Sequence, residues 1–326
     1  MFAMNDRNDK QAGCVVDAPE IQPKKGRWHI KVRTFLVPLF FMILHLAVLN
    51  MMVFARVFFH IASISPAEAE ALRQRLLDSA DSIGFMIEIG AQTYASFFAM
   101  FVLIPVYLFY ICLRRKKGIQ MLGWSSLPLK KVFASCAIVL GAMGLTQIWM
   151  VFLSQLDQSS ALGLQFQKYL KLMEVFEPSS GWMFVLEVIT TVFLIPVGEE
   201  LLFRGIIQDE FRRAFPAAVA IPATALLFAV FHGNFVQGSY VFAVGLTLSL
   251  AYYLTDHILV PIGMHVVYNF IGSGIFSHVA GFSDRGETVM MYVLYAAIPF
   301  MAAGIIFLFR WRAKSLASEE PAGSRL

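Results

Sequence analysis

Long apolar runs constrain this chain more than any other feature of its sequence. Between Phe35 and Phe59, for example, Arg56 is the only Asp, Glu, Lys or Arg. A helix needs about 20 apolar residues to cross the hydrocarbon core of a bilayer. The whole chain is 58% hydrophobic and 15% charged, whereas soluble domains average about 25% charged residues. We therefore predict an all-α, polytopic integral membrane protein.

The apolar pattern predicts about eight transmembrane helices. The predicted crossings are 34–59, 83–113, 132–154, 181–203, 216–236, 238–255, 258–276 and 288–310. Gly, Pro and polar residues interrupt those between 181 and 276, and such interruptions are tolerated only beside protein or a water-filled cavity. We therefore expect the catalytic core at about 180–275, within a transmembrane domain of residues 34–310. Residues 1–33 are predicted to be a disordered basic tail, and 311–326 a second tail.

The basic residues predict the orientation of the chain. With eight crossings, most Lys and Arg near the span ends fall on one side, which by the positive-inside rule is cytoplasmic. They are Lys24, Lys25, Arg27, Lys31, Arg33, the run 114–118, Lys130, Lys131, Arg212, Arg213, Arg310, Arg312 and Lys314. Both termini are thus predicted to be cytoplasmic, and the pattern fits a bacterial inner membrane. The net charge of +4 is too small to indicate nucleic-acid binding.

Two loops on the other side, 66–83 and 161–177, have apolar residues at helical spacing with charges between them. This pattern predicts amphipathic helices at the membrane surface, with packing as the plainer interpretation and a lid or substrate guide as the alternative. His45, alone in the first crossing, is interpreted as a packing or interfacial residue.

Three polar sets lie on the interrupted helices. They are Glu199, Glu200 and Arg204 in "EELLFR", Phe228 and His232 in "FAVFH", and His265 and Asn269 in "HVVYN". Residues four apart share a helix face, so Arg204 is expected to neutralise Glu200 while Glu199 points about 100° away. Counting residues from a turn near Ala214 places Glu199 and His232 at nearly equal height. We expect all three sets to meet in a cavity open toward the cytoplasmic half of the membrane.

These residue types fit hydrolysis. A carboxylate and an imidazole around one water can remove its proton, so that the oxygen attacks a carbonyl carbon; Glu199 and His232 are the candidates. A second histidine with an amide one turn away, His265 with Asn269, can donate hydrogen bonds to the oxyanion that forms. Taken alone, Glu200 and Arg204 would be a structural ion pair. The helix is expected to break just before this pair, at Pro196 and Gly198.

The three motifs resemble those of the CAAX protease and bacteriocin-processing family of intramembrane endopeptidases, which includes the Ras-converting prenyl-protein proteases. That family is marked by EExxxR, FxxxH and HxxxN in this order, and the resemblance covers about 180–275. It implies cleavage of a peptide bond in a membrane-tethered protein or peptide. It assigns water activation to Glu199 and His232, the oxyanion hole to His265 and Asn269, and support of the site to Glu200 and Arg204.

Two questions stay open at this point. We favour a site without a metal, but zinc or another divalent ion bound by Glu199, His232 and His265 is a chemical alternative. The main alternative function is a non-catalytic membrane regulator or immunity-type protein that binds peptides in the same cavity. A transporter is a third hypothesis, motivated by Glu88, Gln92 and Glu187 in the spans, although transporters of this kind usually contain internal repeats and none is apparent.

Overall fold

The computed structural model describes residues 29–76, 79–174 and 179–319, and this part of the chain is almost entirely helical. Within it, β-structure is limited to an isolated bridge between Trp124 and His257. The helices are α1 (Arg33–Ser63), α2 (Pro66–Arg75), α3 (Ser79–Glu88), α4 (Ala91–Lys116), α5 (Leu129–Ser154), α6 (Ala161–Glu174), α7 (Gly181–Ala214), α8 (Ala217–Phe231), α9 (Phe235–Thr255), α10 (Leu259–Gly272), α11 (Ile275–Ala280) and α12 (Asp284–Glu319).

Six of these helices, α1, α4, α5, α7, α9 and α12, are long and apolar enough to cross a membrane. Two more, α8 and α10, are apolar but only 15 and 14 residues long. The prediction of an all-α polytopic membrane protein is confirmed. The number of eight crossings and the cytoplasmic location of the termini stay predictions.

The second predicted crossing, 83–113, is wrong at its start. The helix divides, because Gly90 has a left-handed backbone conformation (φ 61°) that a continuing α-helix does not allow. Residues up to Glu88 therefore belong to α3, and the long helix begins at Ala91. Glu88 is therefore not part of the long apolar helix that the sequence predicted to contain it. Its side chain is exposed and pairs with that of Arg75 at 2.9 Å.

The two outer loops are helical, as their spacing predicts. Residues 66–83 contribute to α2 and α3, and α6 ends at Glu174. On α6, Phe166 and Tyr169 are buried against Leu153 and Val236, so this helix packs on the ends of α5 and α9. At the termini, α12 continues to Glu319, beyond the predicted end of the last crossing at 310. Residues 1–28 of the predicted first tail and residues 320–326 of the second lie outside the described part of the chain.

Helix α7 carries the first motif and does not break at Pro196 and Gly198, contrary to the prediction. It alternates between two geometries along its length. Gly181–Glu187, Ile195–Glu200 and Asp209–Ala214 are α-helical, whereas Val188–Leu194 and Leu201–Gln208 are π-helical. The helix continues through Pro196, and the wider π-turn that precedes it accommodates the missing N–H and the ring of this proline. π-Segments are rare and are found frequently at functional sites.

Glycine residues allow close contacts between neighbouring helices. On α7, a Cβ at Gly198 would lie 2.4 Å from Sδ of Met100, so a larger residue would require the Met100 side chain of α4 to move. At the far side of the molecule, a Cβ at Gly144 of α5 would lie 2.3 Å from the carbonyl oxygen of Leu294 in α12. Small residues at helix contacts are the usual means by which membrane helices associate.

The polar end of α7 is enclosed by protein. Asp209 and Glu210 are each 1% exposed. Asp209 accepts a hydrogen bond from the backbone N–H of Leu122 at 2.8 Å, and Glu210 pairs with Arg114 at 2.6 Å. Arg33, at the start of α1, lies 3.6 Å from the other oxygen of Glu210. These contacts tie the first helix and the loop after α4 to the end of α7, and so fix the helix that carries the site.

Candidate active site

Glu200 and Arg204 form the centre of the site. Both side chains are fully buried, and Nη1 of Arg204 lies 2.7 Å from Oε1 of Glu200. Nη2 of Arg204 donates to the carbonyl oxygen of Gly245 on α9 at 3.2 Å. A buried charge is tolerated when it is paired and hydrogen-bonded. Here Oε1 of Glu200 and both Nη atoms of Arg204 have partners, whereas Oε2 of Glu200 and Nε of Arg204 have none among the described residues. The predicted pairing across one helical turn is therefore present, and it is anchored to a second helix.

His265 joins the two carboxylates. Its Nδ1 lies 2.8 Å from Oε1 of Glu200, and its Nε2 lies 3.8 Å from Oε2 of Glu199. Since a carboxylate only accepts, Nδ1 carries the hydrogen of the shorter contact when Glu200 is ionised. A carboxylate on Nδ1 fixes the orientation and tautomer of an imidazole and leaves Nε2 facing the reacting atoms. Glu200 is thus placed to orient His265. This role is more specific than the support of the site that the resemblance assigns to Glu200.

His232 approaches from α8 and has its ring orientation fixed by the backbone. Its Nδ1 donates to the carbonyl oxygen of Phe228 at 2.8 Å, because a carbonyl can only accept. In the neutral imidazole, Nε2 then carries the lone pair and can accept a proton. Among the described residues, no carboxylate lies within 4 Å of His232, whereas Glu199 has its nearest imidazole in His265. Glu199 and His232 are therefore not in direct contact.

Phe228 is the side chain that the three sets share. Its ring lies 4.9 Å from that of His232 and 5.8 Å from that of His265, in both cases edge to face. The guanidinium of Arg204 lies over the same ring, 4.7 Å from its centroid. A cation over a desolvated aromatic face is attracted by about 2 kcal/mol. Phe228 therefore brings both imidazoles and the guanidinium into one cluster.

Asn269 lies one turn beyond His265 on α10, and its Nδ2 donates to the carbonyl oxygen of Thr191 at 2.9 Å. In the π-segment that contains Thr191, the partner of this carbonyl would be the N–H of residue 196. Residue 196 is a proline and has no N–H, so the amide of Asn269 takes its place. One donor of Asn269 is thereby used to fix α10 against α7, and the second hydrogen of Nδ2 is the one left for a ligand.

The carboxylate of Glu199 and two imidazoles lie around one region of the protein interior. Nε2 of His265 lies 3.8 Å from Oε2 of Glu199, and Nε2 of His232 is the ring nitrogen that the bond to the carbonyl of Phe228 leaves unused.

Sequence reasoning missed two contributors to this site, the carbonyl groups of Thr191 and Gly245. They act through the backbone, which residue types do not reveal, although a glycine inside an apolar helix often marks a close approach. A Cβ at Gly245 would lie 3.1 Å from Cδ1 of Phe228. His45, interpreted from the sequence as a packing or interfacial residue, is 2% exposed and packs on Phe231, next to His232 in the chain.

The donors of the alternative metal site are Glu199, His232 and His265. Among the described residues, no group of three or more His, Cys, Asp or Glu side chains is placed to hold a metal ion. Glu199, His232 and His265 therefore do not form such a group here. In the two imidazoles, Nδ1 is hydrogen-bonded to protein and Nε2 is the remaining nitrogen.

Fold and site together define a polytopic membrane protein with a buried centre of carboxylate, imidazole and guanidinium groups on α7, α8 and α10. Part of this chain also matches a known protein family. Residues 181–271 match the family described as Rce1-like, "Type II CAAX prenyl endopeptidase Rce1-like". The match includes every motif residue and confirms, for this segment, the resemblance seen in the sequence. Comparison with curated proteins and with solved structures gave no match.

Proposed function

We propose that this protein is an intramembrane endopeptidase that hydrolyses a peptide bond of a membrane-tethered protein or peptide. The single observation that carries the proposal is one connected cluster: His232, His265 and Arg204 contact the ring of Phe228, and His265 faces both Glu199 and Glu200. A purely structural ion pair of Glu200 and Arg204 needs neither a second carboxylate nor two imidazoles. The family matched at 181–271 supports a peptidase.

In the proposed mechanism, Glu199 and Nε2 of His232 bind the attacking water and remove its proton as the oxygen bonds to the carbonyl carbon of the substrate. Glu199 is suited to this because it is 9% exposed and makes no direct hydrogen bond to another described residue. The proton is then given to the leaving amine nitrogen. General acid–base catalysis of this kind contributes about 10²- to 10⁴-fold to a rate.

The oxyanion is proposed to be stabilised by Nε2–H of His265 and by Nδ2 of Asn269. Both donors are held before substrate binds, His265 by Glu200 and Asn269 by the carbonyl of Thr191. Donors that are fixed in advance stabilise developing charge without reorganisation. Glu200, Arg204 and Phe228 act by holding these donors. The mechanism uses no metal ion. We place the protein in a cell membrane, with a bacterial inner membrane favoured by the distribution of basic residues.

The test is cleavage by the full-length protein in liposomes. Two probes distinguish the substrate class: a farnesylated peptide ending in a CAAX sequence, and a transmembrane peptide without a prenyl group. Glu199→Gln is expected to lower kcat at least about 10²-fold on whichever probe the unchanged protein cleaves, because the base is lost while the shape is kept. If neither probe is cleaved, peptides that accumulate in cells carrying Glu199→Gln identify the substrate to use.

The matched control is Glu187→Gln, which lies on the same helix and bonds to Ser179 outside the cluster. It is expected to cleave at the rate of the unchanged protein. Equal cleavage by the Glu199→Gln and unchanged proteins would end the catalytic assignment and favour the non-catalytic peptide-binding alternative.

A further inference from the structure

A series of polar side chains leads from the site to the far end of α7, along the contact between α7 and α9. We call this series the polar seam. It consists of Glu200, Arg204, Gln208, Asp209 and Arg212 on α7, and of Ser249, Tyr252 and Asp256 on or directly after α9. All of these residues except Asp256 are at most 3% exposed. Polar side chains at this depth are tolerated where they meet protein partners or water.

Direct hydrogen bonds across the polar seam join the two helices. Nη2 of Arg204 donates to the carbonyl oxygen of Gly245 at 3.2 Å, and Nε2 of Gln208 donates to that of Ser249 at 2.9 Å. The donors and the acceptors are each four residues apart, so α7 and α9 run side by side in the same direction here. Farther along, the hydroxyl of Tyr252 lies 3.2 Å from Oδ2 of Asp209. These bonds use only some of the polar atoms in the seam.

Four buried atoms of the seam have no hydrogen-bond partner among the described residues. They are Oε2 of Glu200, Nε of Arg204, Oε1 of Gln208 and Oγ of Ser249. Their types are complementary, because the guanidinium nitrogen donates, the carboxylate and amide oxygens accept, and the hydroxyl can do both. Buried polar groups are normally bonded to protein or to ordered water, and a buried water makes about three such bonds. The unpartnered atoms therefore indicate water between α7 and α9.

The far end of the seam reaches the protein surface. Nη1 of Arg212 is also buried without a hydrogen-bond partner among the described residues. It lies 3.7 Å from Oδ1 of Asp209 and 3.9 Å from Oδ1 of Asp256. Polar contacts longer than about 3.5 Å are ones that a water commonly bridges. The side chain of Asp256 is 39% exposed, so the seam is open to solvent at this end.

We propose that the polar seam binds exchangeable water and passes it between the open end at Asp256 and the active site. The inference rests on the proposed function for its purpose, since each cleaved peptide bond consumes one water molecule inside the protein. The seam replaces that water without passage through lipid. It gives Gln208 and Ser249, which belong to no motif, a role in the water route. The competing interpretation is a dry contact that only joins α7 to α9, with water entering the site elsewhere.

The test detects exchangeable water in the full-length protein without any substrate. X-ray radiolysis converts water in contact with a side chain into hydroxyl radicals, which add oxygen to that side chain. Mixing with oxygen-18 water just before exposure shows, by mass spectrometry of peptides, whether the contacting water exchanges with bulk. The reporters are Tyr252 near the open end and Phe228, whose ring contacts Arg204 at the site. Both are expected to take up the heavy isotope. No uptake at Tyr252 would show a dry seam and overturn the proposal.

Two variants interrupt the seam between the reporters. Gln208→Met keeps the length of the side chain and removes its polar atoms, and Ser249→Val fills the opposite wall with apolar atoms. Each is expected to lower the uptake at Phe228 about tenfold, the effect of one lost hydrogen bond on the occupancy of a water. Tyr252, on the open side of the interruption, should stay labelled. If one variant does not fold, the other decides.

Two references make the result specific. Thr247→Val is the matched control on α9, because the hydroxyl of Thr247 donates to the carbonyl of Val244 within the same helix, and both labels should be unchanged. Phe166, which is 3% exposed among apolar residues, should stay unlabelled throughout. Unchanged uptake at Phe228 in the seam variants would show that water reaches the site elsewhere and overturn the proposal. Failure of the unchanged protein to cleave any peptide would instead count against the proposed function, and the labelling would still decide whether the seam carries water.

Discussion

At the scale of single residues, the site depends on charges that compensate one another inside the protein. Oε1 of Glu200 forms hydrogen bonds with both Arg204 and His265, so this one oxygen atom links three ionisable side chains. A group of this kind contributes little net stability compared with apolar residues of the same volume. Its presence at the centre of the helix bundle is therefore better explained by chemistry than by folding.

Removing one member of the pair should be costly. Arg204→Met leaves the carboxylate of Glu200 buried with His265 as its only partner, and is expected to lower the free energy of unfolding by about 3–5 kcal/mol. The double variant Glu200→Gln/Arg204→Met removes both charges and should lose clearly less. Unfolding in mixed detergent micelles measures both.

The control for this prediction is Arg73→Met. Arg73 pairs with Glu70 on the surface, where the two side chains are 72% and 57% exposed. Exposed pairs of this type add almost nothing to stability, so the unfolding midpoint should not change. A double variant as unstable as Arg204→Met alone would contradict the view that an unpaired buried charge is the cause.

At the scale of helices, the sequence predicted which segments carry the site but not how they are shaped. The four-residue spacing of Glu200 and Arg204 and of His265 and Asn269 was sufficient to place their side chains on shared faces. The two π-segments of α7 were not predictable, because apolar runs on both sides hide a local change of period. The bond from Asn269 to Thr191 follows from that change, and so it was missed as well.

The misplaced start of the second crossing has a similar cause. Residues 83–113 are apolar enough to be continuous, and the break depends on the backbone conformation of Gly90 alone. Glycine is tolerated inside membrane helices, so its presence does not predict a break. The hydrogen bond between His45 and Tyr107 was not predictable for a different reason: the two residues are 62 positions apart in the chain. Contacts of this kind depend on tertiary packing and cannot be read from local spacing.

Helix packing also supplies a prediction away from the site. Gly144→Ala places a methyl group 2.3 Å from a backbone oxygen of α12, which cannot rotate away, so α5 and α12 must separate. Overpacking of this type costs about 1–3 kcal/mol. The measurement is again unfolding in mixed micelles. Cleavage per folded molecule should be retained, since the motif residues lie on α7, α8 and α10.

Gly263→Ala is the matched control, because a Cβ there meets no atom within 4 Å. In a helix this change should be neutral or stabilise by about 0.5–1 kcal/mol. Equal losses in the two variants would show that close approach of α5 and α12 is not what makes Gly144 necessary.

At the scale of the whole molecule, the distribution of basic residues predicts the orientation of the helices in the membrane. The positive-inside rule predicts that the loop after α4 is cytoplasmic and that the loop after α5 faces outward. In a protein with Cys14, Cys112 and Cys136 replaced, Ser159→Cys should react with a membrane-impermeant maleimide in intact cells. Lys117→Cys should react only after the cells are permeabilised. The opposite pattern would reverse the predicted topology and place the polar end of α7 outside.

The lengths of α8 and α10 have a consequence for the surrounding lipid. Helices of 15 and 14 residues extend only about 22 and 21 Å, whereas a typical hydrocarbon core is about 30 Å thick. His232 directly follows the last residue of α8, and His265 lies in the middle of α10. Lipids beside a short helix thin the bilayer or draw flanking residues inward, at a cost that rises with each ångström of mismatch. With the predicted eight crossings, acyl-chain length therefore acts on the two histidine-bearing helices directly, and the host membrane becomes part of what sets their position.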